Sequence, residues 1–136
     1  MSTPSDLVML VRHAKAEALR ALATRQEPIP VGFVLKPDHS VESFRPQEAV
    51  PMLALVEVIK HLKSAVATEH AAAVAYFNPL PDPAASRTSL EVVELYAESS
   101  ASVTSETIGF RKRLLLGWHE AHSSRFPHAE HRFYVS

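Results

Sequence analysis

Twice along this chain apolar residues recur every three or four positions, and each time the pattern then gives way to short apolar runs flanked by turn residues. That alternation of period between helix and strand confines the chain to an α+β architecture more tightly than any other feature it carries. The first stripe is Leu7, Leu10, Val11, Ala14, Ala18, Leu19 and Leu22. Thr3, Pro4 and Asp6 stand before it as a cap, a first helical position and an acidic first turn, and the helix is expected to reach about Arg25, where Pro28 and Pro30 stop it. The second stripe, Met52, Leu55, Val56, Ile59, Leu62 and Val66, predicts a helix from about Pro51 to Glu69.

Between the helices, Val31 to Leu35 has the length and flanks of a buried strand, and Pro37, Asp38 and Ser40 supply a turn returning Val41 to Phe44 as its antiparallel partner. Ala71 to Phe77 is an unbroken apolar run expected as a central strand. Asn78 to Ser86 carries prolines without periodicity and reads as a surface loop. Leu90 to Tyr96 predicts a further strand, with Glu91, Glu94 and Glu98 at its exposed positions, and Thr104 to Arg113 predicts another, with a partly buried face. Leu114 to Ser124 reads as a bend followed by an irregular or one-to-two-turn helical piece, because Leu115, Trp118 and His122 fit a helical face while Gly117 argues against a helix, and Arg132 to Val135 reads as a short final strand. The order α-β-β-α-β-β-β over 1–136 predicts one domain: a two-layer α+β sandwich with a mostly antiparallel sheet of about five strands and two helices on one of its faces.

A chain of 136 residues with 46% hydrophobic and 21% charged residues can bury one good core. Its 14 basic and 15 acidic side chains leave a net charge of −1, which argues against a global attraction to nucleic acid or to an anionic membrane. Cysteine is absent, which excludes disulfides and thiolate chemistry. No apolar stretch is long enough for a membrane span, and Met1 to Asp6 lacks a signal-peptide pattern, so a cytoplasmic location is expected. With only three glycines, no phosphate-binding loop, dinucleotide fingerprint or nucleophile elbow can be written.

Chemistry-bearing residues concentrate near the C-terminus. His119, His122, His128 and His131 form two H-x-x-H pairs, a spacing that on a helix places two imidazoles on one face, where they can share a zinc or similar divalent ion with Glu120 or Glu130. The order is one residue short of the H-E-x-x-H zinc-protease helix, so that mechanism does not transfer. Solvent-exposed histidines titrating near their ordinary pKa of about 6.5 are the plainer reading, and on it no cofactor is needed. Arg111, Lys112 and Arg113 with Trp118 make a basic, aromatic segment suited to phosphate or nucleic acid, although no nucleic-acid motif accompanies it. Tyr76 lies at the end of a central strand, where it can line a pocket or simply pack in the core, and His13 and His61 fit structural boundary positions. No complete catalytic set emerges. The function expected from the sequence is a non-catalytic protein-interaction module that binds a protein partner or itself as a homodimer; a metal-dependent hydrolase at the histidines and an anion-binding surface at Arg111–Arg113 are the alternatives.

Overall fold

A computed structural model describes residues 4–23, 29–80, 90–113, 117–125 and 132–134, with side chains described except at 4, 5, 22, 23, 80, 90–92, 110–113 and 117–125. Helix α1 is Pro4–Ala23 and helix α2 is Pro51–Thr68; the strands are β1 Val31–Leu35, β2 Val41–Phe44, β3 Ala73–Leu80, β4 Leu90–Ser99, β5 Val103–Arg113 and β6 Gly117–Arg125. All pairings are antiparallel and the spatial order is β2-β1-β3-β4-β5-β6. The α+β class and the order of elements agree with the sequence reading.

The turn between β1 and β2 forms as its residues dictate: Asp38 accepts hydrogen bonds from the amide and hydroxyl of Ser40, at 3.0 and 2.6 Å, and His39 takes the left-handed conformation with φ 69°. Pro51 opens α2 at a position where a missing N–H costs nothing. Ahead of it the amides of Gln47 and Glu48 donate to Glu57 Oε2, at 2.9 and 3.3 Å, so the incoming loop is tied to the helix it feeds.

Four expectations are corrected. The helices lie on opposite faces of the sheet rather than on one. Leu7, Leu10, Val11, Ala14 and Ala18 of α1 pack against Val31, Phe33, Leu35, Ala75, Phe77 and Leu95, whereas Val58, Leu62 and Ala65 of α2 pack against Val34, Val74, Tyr76 and Tyr96. Period two along each strand sorts its residues between the two cores. Gly32 lets α2 sit close: a Cβ there would meet Val58 Cγ1 at 3.0 Å and Leu62 Cδ2 at 3.3 Å. The sheet has six strands rather than about five, because 117–125 is an edge strand paired with β5 and not an irregular or helical piece. Residues 132–134 are bends and not a strand. Finally, β3 extends through Asn78 and Pro79 to Leu80, into what the sequence suggests is loop; the rest of that proposed loop, 81–86, lies outside the described residues, as do the Thr3 cap and residues 24 and 25 of the first helix.

Candidate functional site

The C-terminal residues singled out from the sequence divide in the fold. Arg111, Lys112 and Arg113 end β5, and the β5–β6 register sets Arg111 opposite His119, Lys112 opposite Trp118 and Arg113 opposite Gly117. A register shift between Gly109 and Phe110 places His122 opposite Gly109, so the partners of His119 and His122 are two apart on β5. The backbone thus gathers basic, aromatic and histidine positions at one end of the outermost hairpin. The side chains at 110–113 and 117–125 of this hairpin, and His128 and His131 altogether, lie outside what is described. Among the described residues, no group of three or more His, Asp or Glu side chains is arranged to hold a metal ion.

Tyr76 belongs to a different place, a polar and aromatic cluster on the α2 side of the sheet. It is 1% exposed, and its ring stacks on that of Tyr96 with centroids 5.5 Å apart. Next to them Glu98, read from the sequence as an exposed strand position, is 0% exposed. Tyr96 Oη donates to Glu98 Oε1 at 2.6 Å, and the amides of Arg132, Phe133 and Tyr134 donate to the same carboxylate at 2.7, 3.1 and 2.6 Å. Phe133 enters the α2-side core, Tyr134 Oη donates to the carbonyl of Ala71, and Arg132 reaches back over Tyr96, its Cζ 4.6 Å from the ring centroid, to donate to Tyr76 Oη at 2.5 Å.

The ionisation of the cluster follows from these contacts. Burial pushes the Glu98 carboxyl up, but the Tyr96 hydroxyl and the three amides outweigh it and hold its pKa below the ordinary value. Burial pushes Tyr76 up to about 12, against the opposing charge of Arg132. Tyr96 is raised by burial and by its hydrogen bond and proximity to the Glu98 carboxylate, and Tyr134 by burial and by Glu98. A low carboxyl and high phenols make this a holding site rather than a proton-transfer site near neutrality: the carboxylate stays charged and its lone pairs are taken up by donors. The sequence signal that points to it is the position of Tyr96 on the same strand face as Glu94 and Glu98, which marks that face as more than a solvated one.

On the outer side of α2, a row of large apolar side chains faces solvent: Val50 is 54% exposed, Met52 78%, Leu53 51% and Val56 48%. Beside it lies a shallow hollow of about 570 Å³ lined by Gln47, Glu48, Leu53, Val56, Glu57 and Lys60. Single exposed apolar residues are ordinary, whereas these four fall within seven consecutive positions, 50 to 56. Met52 and Val56 belong to the stripe that the sequence assigns to the core, and the structure turns them outward while Ala54, Val58, Leu62 and Ala65 face the sheet. Among the described residues no helix is long and apolar enough to cross a membrane. No family model, curated protein or solved structure matches this chain, and the functional reading therefore rests on its own geometry.

Proposed function

We propose that this chain is a protein-interaction module acting in the cytoplasm, and that it associates with itself through the N-terminal half of α2. The observation that carries the reading is the exposed row Val50, Met52, Leu53 and Val56, held on a helix whose opposite face is fixed in the core. Both signs of charge border the row, Glu48 and Glu57 with Lys60, which suits a two-fold contact in which the cation of each copy meets a carboxylate of the other. An apolar centre with a charged rim is the composition of a protein contact rather than of a small-molecule cleft. Light scattering on fractionated protein across a concentration series tests this. The wild-type chain shifts from monomer to dimer as concentration rises, and Val56→Asp remains monomeric with unchanged circular dichroism. A wild-type chain that is monomeric at every concentration defeats the proposal.

The outer hairpin favours a second reading, because its register aligns Arg111 and Lys112 with His119 and Trp118. On that reading the hairpin binds a phosphate-bearing ligand, and its affinity for polyphosphate falls steeply with added salt and rises as the pH drops through the histidine range. A response flat in salt sinks it.

A further inference from the structure

Glu98 sits in β4 opposite Val74 of β3 and Val103 of β5, fully buried within a six-stranded sheet. A carboxylate in such a position is far worse off than in water unless donors surround it. Part of the surround comes from successive backbone amides of one short segment: Arg132 N donates to Oε1, Phe133 N to both oxygens and Tyr134 N to Oε2. Consecutive N–H groups converging on one anion form a backbone nest. Here the anion belongs to the sheet and the nest to the segment laid upon it.

The segment is held by the sheet without being one of its strands. Of its side chains Phe133 alone is buried, at 6% exposed, in the α2-side core with its ring tilted against that of Tyr96 at 5.9 Å between centroids, while Arg132 is exposed and Tyr134 half-buried. Arg132 rests on Tyr96 and bonds Tyr76, and Tyr134 bonds the carbonyl of Ala71. Main-chain hydrogen bonds for attachment, one aromatic anchor in a pocket and two flanking contacts that set register are the parts by which proteins recognise short peptides.

We infer that the α2 side of the sheet is a peptide-binding seat, filled within this chain by its own Arg132–Tyr134, and that it accepts from a partner polypeptide a segment of the same chemistry: a basic residue, an aromatic residue and a tyrosine in succession. Each of the three positions needs a free N–H, so proline is excluded at all of them. An acidic residue at the first position is rejected by the carboxylates of Glu98 and Glu94, the latter 3.5 Å from Tyr76 Oη. The chain's own segment is the resident competitor, and a partner gains access by displacing it. The seat and the outer row of α2 share no residue, so either proposal stands or falls without the other.

The test uses the 136-residue chain carrying Phe133→Ala, whose own anchor is gone, with a synthetic peptide spanning 131–136, His-Arg-Phe-Tyr-Val-Ser. Calorimetric titration is expected to show one peptide per chain, and the peptide raises the melting temperature of that variant. A peptide with proline in place of its tyrosine binds roughly tenfold or more weakly, as the loss of a hydrogen bond to a charged group requires. A Phe133→Ala, Glu98→Gln receptor weakens the native peptide to a similar degree. Native and proline peptides binding equally, or neither binding a Phe133→Ala chain with native circular dichroism, overturns the proposal. Should Phe133→Ala not fold, the 15N-labelled wild-type chain with the native peptide in large excess decides: shifts of the Tyr96 and Glu98 amides by the native peptide and not by the proline peptide support the seat, and no shift overturns it.

Discussion

The two faces of the sheet are built from the same strands yet solve different problems. The α1 side is an apolar core, Leu10, Phe33, Leu35, Phe77 and Leu95 among its members, in which a fully buried carboxylate, Glu106, pairs with Lys15 Nζ at 3.1 Å. The α2 side covers less with its helix and completes itself with a bent segment, a buried carboxylate and stacked phenols. Apolar contact is nondirectional, so the α1 side supplies stability with little demand on geometry. Hydrogen bonds to a buried charge are directional and costly when incomplete, so the α2 side specifies what lies upon it.

The sharpest way to break this contrast is truncation on each side. Phe33→Ala removes a fully buried ring from the α1 core, where His13 meets it edge-on at 5.5 Å between centroids, and is expected to cost about 3–5 kcal/mol in urea unfolding. Glu98→Ala leaves the amides of 132–134 and the Tyr96 hydroxyl without their acceptor and should cost about 3 kcal/mol. The two differ in kind as well as size: only the second frees the segment, visible as faster amide exchange at Phe133 and Tyr134. Equal exchange in both variants would erase the distinction.

Dependence on pH sharpens it further. The depressed Glu98 pKa means that its contribution is present above the ordinary carboxyl value of 4.5 and is lost as pH falls through the lower folded-state value. Tyr76, raised from 10.0 to about 12, contributes fully below pH 10 and loses that contribution as pH rises towards 12. Stability against pH should therefore fall less steeply in acid for Glu98→Gln, and less steeply in base for Tyr76→Phe, than for the wild type. The smallest expected effect on stability is that of Met52→Glu on the outer row, within about 0.5 kcal/mol, and its signature is loss of self-association.

The elements are largely legible because their periods are strong and their boundaries marked: both helices and the central strands follow from apolar spacing with flanking prolines, and the β1–β2 hairpin from Pro37, Asp38 and Ser40 between two apolar runs. The opposite placement of the helices had a signal too. Val31 to Leu35 is apolar at every position and is buried at every position, which requires cover on both faces. The edge strand 117–125 escaped notice because its pairing with β5 uses backbone groups, while Gly117, His119, Glu120 and His122 carry no alternation. Glu98 was misread for a plainer reason: a charge in a strand reads as solvated, and its real partners are amides distant in sequence. Of the candidate site residues, Tyr76 was placed at a chemically developed position, though as part of a clasp rather than the lining of an open pocket.

The clasp also has a kinetic meaning. Strands β3 to β6 form a meander whose pairings join neighbours in the chain, whereas Arg132 reaches Tyr76 across 56 positions and Tyr134 reaches Ala71 across 63. A three-residue segment that closes long loops onto a surface that must already exist is expected to dock late in folding. Substitutions at Phe133 and Tyr134 should therefore leave the folding rate nearly untouched and speed unfolding, so that Arg132–Tyr134 governs how long the native state survives rather than how quickly it is reached.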